Sequence, residues 1–291
     1  MIERKISTWT SWGNESIPAA SGGLRYGDGV FVTLAIRSGV LLDAQLQLGR
    51  LHEAAGAIGL EAPDAFGSPA GAADRLASIV SELDPGARDG VVRLQWFAGV
   101  GSRGFRQGIA KAEAIVELSP APAVRRPTVV VLPDGRVPLP ALGRHKTCSA
   151  LANILCAGEA GRLGADAAVR VASGVLLETG SANVFWLREG VLYTPADTLP
   201  IYPGSVRARI LECAPAVGLT VEQGEFRPDA ILGAESVLLT NAARGLEYAR
   251  SVDGRVLGET PESMGSLGSA VHRRRLEQGI RLAAGGADAD A

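Results

Sequence analysis

The chain has few cysteines and no excess of charge. Only three of its 291 residues are cysteines, and none has a CxxC or other spacing typical of a metal site. An odd number of scattered cysteines excludes a disulfide framework and is typical of a reducing compartment. The formal net charge of −2 gives no electrostatic reason to expect nucleic acid or an anionic membrane as a partner.

Long apolar runs are also missing. No apolar stretch approaches the 18 residues that a transmembrane helix needs, and the first residues, MIERKISTWTSW, lack the apolar core of a signal peptide. Hydrophobic residues make up 46% of the chain and charged residues 21%, as in globular proteins. We therefore expect a cytoplasmic enzyme or binding protein that has no membrane partner.

Lysine is scarce, which makes each lysine informative. Of 29 basic residues only Lys5, Lys111 and Lys146 are lysines, and the first two have ordinary surface interpretations. Lys146 lies in GRHKTCSALANILC, ahead of an apolar, helix-like stretch. An amine nucleophile must lose its proton, which a dry setting favours. The local sequence leaves two alternatives open: a catalytic amine, or an ammonium in water at a helix start.

The length favours two lobes, and prolines mark their boundary. Six prolines fall between residues 119 and 142, around one short strand, TVVVLP. We expect a small N-terminal domain over residues 1–120, a linker over 121–142 and a larger C-terminal domain over 143–291.

Hydrophobic periodicity predicts a mixed α+β fold. Alternation or apolar runs predict strands at residues 29–43 around a Ser-Gly turn, 90–100, 110–120, a meander over 169–195, and again from 236. Helical spacing predicts helices at 44–60, 72–84, 149–164, from 205, and roughly over 264–283.

One motif is misleading. Residues 99–104 read GVGSRG and fit G-x-G-x-x-G after a predicted strand. A dinucleotide site needs a helix to open at these glycines, but a polar stretch and another strand follow. We therefore expect a glycine-rich loop that joins two strands.

Three further elements have both structural and functional interpretations. Arg50 lies on or beside the apolar side of a helix, where it either extends to solvent or grips a phosphate or carboxylate. Glu178 lies in the apolar stretch VLLETGSANVFW and needs a partner if it is buried. PGSVR begins a helix whose amides at Ser205 and Val206 could bind an anion. The histidines form no recognisable Ser/His/Asp pattern.

Taken in order, six segments resemble the fold type IV pyridoxal-phosphate enzymes, the class IV aminotransferases. They are LRYGDGVFVTL, LGRL, HKTCSALANILCAGEA, ETGSANVF, YPGSVR and AESVLLTNAARG, and the resemblance covers residues 24 to 256. The family includes branched-chain, D-amino-acid and (R)-selective amine transaminases and aminodeoxychorismate lyase. The resemblance implies a two-lobed α+β fold with pyridoxal 5′-phosphate in the cleft between the lobes, a homodimer, and a small amino or keto acid as substrate.

The resemblance also implies roles for residues. Lys146 corresponds to the Schiff-base lysine, which also shuttles the substrate proton. Glu178 corresponds to the acid that pairs with the pyridine nitrogen and keeps it protonated. Arg50 corresponds to the phosphate-binding arginine, and Ser205 and Val206 to the amides of the phosphate cup.

Other positions depart from the family pattern. A threonine that completes the phosphate cup in many relatives aligns with Ala242, which follows Asn241. The resemblance therefore implies that Asn241 and Ala242 are also cofactor-binding positions, and Thr240 is the alternative donor. We expect the remaining substrate contacts among Phe31, Thr33 and four arginines that could bind a carboxylate: Arg25, Arg93, Arg103 and Arg244.

These departures from the family pattern favour lyase activity over transamination. Many transaminases of the family have a glutamate directly after the aromatic residue of GDGVF, whereas this chain has Val32 and then Thr33. The lyases often have a threonine here that handles the leaving group. GVGSRGF and TNAARGL also resemble lyase segments, and Leu151 replaces a tyrosine typical of branched-chain enzymes.

We therefore place elimination of pyruvate from 4-amino-4-deoxychorismate, which gives 4-aminobenzoate, ahead of transamination. The alternative moves an amino group between a D-amino acid or primary (R)-amine and an α-keto acid. A third hypothesis is a pyridoxal-phosphate-binding protein without turnover, and the retained Lys146 and Glu178 argue against it.

Overall fold

The computed structural model describes residues 7–11, 13, 16–101 and 104–283. These form two compact units of mixed α and β structure. The first unit comprises the chain up to Pro122, residues 145–149 and the end of the chain from Arg275. The second comprises residues 123–144 and 150–274. The proline-rich segment from residue 123 onward is therefore part of the second unit, and the short piece that carries Lys146 is part of the first.

Helices and strands alternate irregularly along the chain. The helices are α1 (Gly22–Tyr26), α2 (Ala44–Ala57), α3 (Pro69–Leu83), α4 (Leu151–Arg162), α5 (Ser205–Cys213), α6 (Asp229–Leu232) and α7 (Glu262–Glu277). The strands of the first half are β1 (Ser7–Thr10), β2 (Gly29–Arg37), β3 (Val40–Leu41), β4 (Leu60–Glu61), β5 (Gly90–Ala98), β6 (Ala110–Pro120) and β7 (Thr128–Val131). Those of the second half are β8 (Ala167–Ala172), β9 (Val175–Thr179), β10 (Asn183–Arg188), β11 (Val191–Pro195), β12 (Thr220–Gly224), β13 (Ser236–Asn241), β14 (Gly245–Tyr248), β15 (Ser251–Val252), β16 (Arg255–Val256) and β17 (Ile280–Arg281).

The first unit is built on a sheet of order β1-β6-β5-β2-β3-β17, with β4 beside β6. Because side chains alternate along a strand, Val32 and Leu34 face the core with apolar residues of α2 and α3, whereas Phe31 and Thr33 take the other face. The predicted turn at Ser38-Gly39 is confirmed, and both residues have positive φ, as a tight hairpin turn requires. The sheet thus has one apolar face and one that carries polar side chains.

The second unit contains two sheets, β12-β11-β10-β13-β14 and β16-β15-β7-β8-β9. Residues of both sheets, Val171 and Val184 among them, share one core cluster. The strands and turns predicted over 169–195 are confirmed, but they do not form one continuous meander, because β9 and β10 belong to different sheets. The hydroxyl of Thr179 accepts hydrogen bonds from the amides of Ser181 and Ala182, and this closed turn redirects the chain.

The end of the chain also differs from the prediction. The helix α7 stops at Glu277, and the chain then forms β17, which pairs with β3. Gly279 permits this close approach, because a Cβ atom there would lie 3.0 Å from the carbonyl oxygen of Leu41. Arg275 donates to Asp43 at 2.7 Å, and both side chains are buried. In the part of the chain that the structure describes, no helix is both long and apolar enough to cross a bilayer.

Candidate active site

Lys146 is held by its backbone on the edge of β2. The amide of Phe31 donates to the carbonyl of Lys146 at 2.9 Å, and the amide of Cys148 donates to the carbonyl of Gly29 at 2.8 Å. Gly29 must lack a side chain, because a Cβ atom would lie 2.6 Å from the carbonyl oxygen of Trp96. The GDG segment of the sequence therefore provides the place where the lysine segment lies against the sheet.

The ring of Phe31 meets two cations. The Lys146 ammonium nitrogen lies 5.5 Å from the ring centroid, and the guanidinium carbon of Arg93 lies 3.7 Å from it. Arg93 is opposite Thr33 in the strand register, so the side chains of both residues share the face that carries Phe31. Burial lowers the pKa of Arg93. The ring of Phe31 therefore places the amine of Lys146 near the guanidinium of Arg93.

Cys148 lies two residues from Lys146 but is no rival nucleophile. Burial raises the pKa of its thiol to about 11. Near neutral pH the sulfur therefore stays protonated, and only the thiolate is a good nucleophile.

Arg50 is half-buried on α2. A side-chain hydrogen bond fixes the preceding turn of this helix. The side-chain amide of Gln47, one turn earlier, donates to the carbonyl of Thr33 at 2.9 Å. This bond ties α2 to the strand that carries Phe31. The first unit therefore brings together Lys146, Phe31, Thr33 and Arg93, with Arg50 on the helix that packs against the same strand.

In the second unit, Glu178 is buried near the end of β9 and is bound by Asn183. The side-chain amide of Asn183 donates to Glu178 Oε2 at 2.8 Å and to the carbonyl of Tyr202 at 2.7 Å. Gly204 is required beside it, because a Cβ atom there would lie 2.3 Å from Asn183 Oδ1. Asn183 was not among the residues predicted from the sequence, although ETGSANVF contains the signal: an amide at the start of an apolar strand, five residues after the acid.

The helix α5 begins at Ser205, and Ser205 and Val206 are both buried. Its N-cap is Gly204, which has no side chain to cap the first amides. Thr240 on β13 is opposite Asn183 on β10, and its hydroxyl is buried without a hydrogen-bond partner among the described residues. The first amides of α5 have no side-chain cap, and the hydroxyl of Thr240 is unpaired among the described residues. Both groups suit a ligand that carries anionic oxygens, such as a phosphate group.

In the turn after Thr240, the side chains of Asn241 and Arg244 contact neighbouring residues of the chain. Asn241 Oδ1 accepts from the amide of Arg244 at 2.9 Å, so this side chain closes its own turn. Arg244 pairs with the buried Glu247 at 3.4 Å. Ala242 is half-buried and has no side-chain donor to offer.

The four arginines predicted for a substrate carboxylate differ in their surroundings. Arg25 is exposed at the end of α1, and Arg244 is engaged by Glu247. Arg103 lies outside the described residues. Of the three that the structure describes, Arg93 lies with Lys146 on the ring of Phe31.

Known proteins resemble this chain over most of its length. The family model for amino-transferase class IV matches residues 29–252. A D-alanine aminotransferase of Bacillus licheniformis is 25% identical over 81% of this chain and 83% of its own, and an aminodeoxychorismate lyase of Vibrio harveyi is 24% identical over 79% and 85%. The structure of a branched-chain aminotransferase of the archaeon Thermoproteus uzoniensis superposes with a TM-score of 0.83, at 20% identity over 94% of this chain and 95% of its own.

The contacts of Asn183 yield a test that needs no ligand. Replacement of Asn183 by leucine removes a charge-assisted bond to Glu178 and the bond to Tyr202, so we expect the free energy of unfolding in urea to fall by about 2–4 kcal/mol. The matched control is Thr194→Val, which removes one buried bond to the carbonyl of Val184, at a cost of about 1 kcal/mol. Equal losses of unfolding free energy in Asn183→Leu and Thr194→Val would contradict the inference that Asn183 stabilises the fold more than an ordinary buried hydrogen bond does.

Proposed function

The chain belongs to the amino-transferase class IV family, whose enzymes depend on pyridoxal 5′-phosphate, and from that premise we propose that it eliminates pyruvate from 4-amino-4-deoxychorismate. The family membership makes it a lyase or an aminotransferase. The product of the proposed elimination is 4-aminobenzoate. One relative, the aminodeoxychorismate lyase of Vibrio harveyi, is named for this activity. The position of Thr33 is the observation that favours elimination over transamination.

The residues present fit the cofactor. Lys146 would hold its aldehyde carbon, and Glu178 would accept a hydrogen bond from its ring nitrogen. Arg50 and the amides of Ser205 and Val206 would bind its phosphate. Thr240 would donate to the same phosphate in place of the threonine that Ala242 replaces, and the unpaired hydroxyl of Thr240 supports this assignment. When bound, the cofactor withdraws electrons from the substrate carbon that carries the amino group.

Elimination needs a base and an acid, and the first unit offers both on one side of β2. Lys146 would take the proton from the carbon that carries the amino group. As the carbon–oxygen bond to the enolpyruvyl group breaks, Thr33 would donate its hydroxyl proton to the departing oxygen and would recover a proton from the Lys146 ammonium. The released enol then rearranges to pyruvate, so atoms and charge balance. Thr33 shares its strand face with Phe31, which Lys146 contacts, whereas Val32 lies in the core and cannot serve.

Arg93 is the best-supported anchor for a substrate carboxylate. Its guanidinium carbon lies 3.7 Å from the centroid of the Phe31 ring, and a guanidinium can bind a carboxylate through its planar fork. Gln95 and Glu117, on the same face, contact it at 3.2 and 3.7 Å and limit its rotation.

The activity test compares Thr33 variants of the loaded enzyme. Wild type should release 4-aminobenzoate and pyruvate in equal amounts from 4-amino-4-deoxychorismate. Thr33→Val, which keeps the shape but removes the hydroxyl, should lower kcat by about 100-fold while KM changes little, because proton transfer contributes most at the bond-breaking step. Thr33→Ser retains a hydroxyl and should stay within about tenfold of wild type. Equal rates in the valine variant and the wild type would contradict the role of Thr33.

Transamination is the second candidate, and the similarity to a D-alanine aminotransferase over 81% of the chain favours it. D-Alanine or D-glutamate would then convert the bound cofactor stoichiometrically to its aminated form, and 2-oxoglutarate would restore it. That result, without 4-aminobenzoate formation, would replace the lyase assignment.

We also propose that the protein forms a homodimer through α4. This helix is inverted: its buried side consists of small residues, Ala152, Cys156 and Ala160. Its large apolar residues face outward, and Leu151, Ile154 and Leu155 are 65%, 64% and 43% exposed. Enzymes of this family are typically dimeric. An apolar helix face of this kind is typical of a protein interface, so a second copy is the expected partner.

A charge on this face should separate the copies. Ile154→Glu should shift the mass measured by sedimentation velocity from dimer to monomer at micromolar concentration, because an interface does not accommodate an unpaired buried carboxylate. Val256→Glu introduces the same charge at an exposed valine of β16 and should leave the dimer intact. A dimer that tolerates Ile154→Glu would place the interface elsewhere.

A further inference from the structure

Arg170 is a cation in the interior of the second unit. It lies on β8 and is only 1% exposed. Its Nη2 donates to Asn153 Oδ1 on α4 at 2.5 Å, and its Nε meets no acceptor in the part of the chain that the structure describes. An arginine cannot give up its charge, so a buried guanidinium requires a nearby anion. Asn153 is neutral and does not provide one.

The strand register shows which anion is near. The pairs Val169–Thr179 and Val171–Leu176 enclose one residue on β8 and two on β9. At this β-bulge, Arg170 is opposite Glu178 and its neighbour. Residues opposite each other on antiparallel strands project to the same face of the sheet. Glu178 is therefore the carboxylate that the backbone places beside Arg170.

The buried thiol of Cys156 is affected by the charges of both Arg170 and Glu178. Cys156 of α4 is fully buried and contacts Arg170 and the amide of Gly180. Burial raises the pKa of this thiol, the field of Arg170 opposes the rise, and the field of Glu178 adds to it. The two opposite charges therefore lie close enough to act on the same sulfur atom.

We propose that Arg170 is a positioning residue that keeps Glu178 ionised before the cofactor arrives. An isolated buried carboxylate tends to take up a proton, and the neutral acid is a poor acceptor for a protonated ring nitrogen. With Arg170 across the bulge, the carboxylate stays charged and remains fixed by Asn183. The second part of this inference rests on the proposed cofactor role of Glu178, but the pairing of the two side chains does not.

The pairing is tested on unloaded protein by a double-mutant cycle at neutral pH. Arg170→Leu should lower the melting temperature by about 6–15 °C, because it leaves a buried charge without its partner. Adding Glu178→Gln to Arg170→Leu should restore part of this loss. Arg170→Lys keeps the charge and should lose less than Arg170→Leu. Arg275→Leu is the matched control: Arg275 is equally buried but pairs with Asp43, so its loss should simply add to that of Glu178→Gln.

Each outcome decides the pairing. Additive losses for Arg170→Leu and Glu178→Gln would overturn it. If Arg170→Leu does not fold but the double variant does, the pairing is supported. If Glu178→Gln folds and neither Arg170→Leu nor the double variant does, the pairing is refuted, because removal of the carboxylate has not relieved the loss.

The role toward the cofactor has a separate measure. Saturation with pyridoxal 5′-phosphate should raise the melting temperature of Arg170→Leu by at least about 3 °C less than that of wild type, because part of the binding free energy is then spent on ionising Glu178. An equal rise in melting temperature for wild type and Arg170→Leu would mean that Arg170 has a structural role only. The absence of any gain in wild type would instead refute the proposed function, while the cycle on unloaded protein still decides the pairing.

Discussion

The short backbone bridge between β2 and residues 146–148 is the constraint on which the rest of the proposed chemistry depends. Two hydrogen bonds between main-chain groups, at 2.8 and 2.9 Å, fix the Lys146 segment. Backbone bonds of this kind do not depend on rotamers, so the lysine begins from a defined position. The same strand carries Phe31 and Thr33, and one rigid element therefore positions the amine, an aromatic wall and a hydroxyl.

The second unit follows a different constraint, because it buries charge. Glu178 and Arg170 lie on adjacent strands within an apolar sheet, and each would be costly there alone. Asn183 connects the acid to the loop before α5, so one amide links the two subsites proposed for the ring nitrogen and the phosphate. Burial and these contacts hold both charged side chains in fixed orientations.

Local patterns predicted much of the fold, and non-local pairing accounts for what they missed. Alternation gave β2 and the strands 90–100 and 110–120, and the Ser-Gly turn was marked by its residues. The division of the 169–195 meander depends on the side chain of Thr179, and β17 pairs with β3 across more than 230 residues, which no short window reveals. The approach of Arg170 to Glu178 depends on a bulge, which shifts the register by one residue. The role of Lys146 stays a prediction from the motif resemblance, whereas Asn183 was found only through its contacts.

Lys146 is the proposed attachment point of the cofactor, and the scarcity of lysine makes this proposal directly testable. The protein is loaded with pyridoxal 5′-phosphate, reduced with borohydride, digested and examined by mass spectrometry. We expect a phosphopyridoxyl group on the peptide that contains Lys146. The same group on Lys5 or Lys111, or on no lysine, would contradict it.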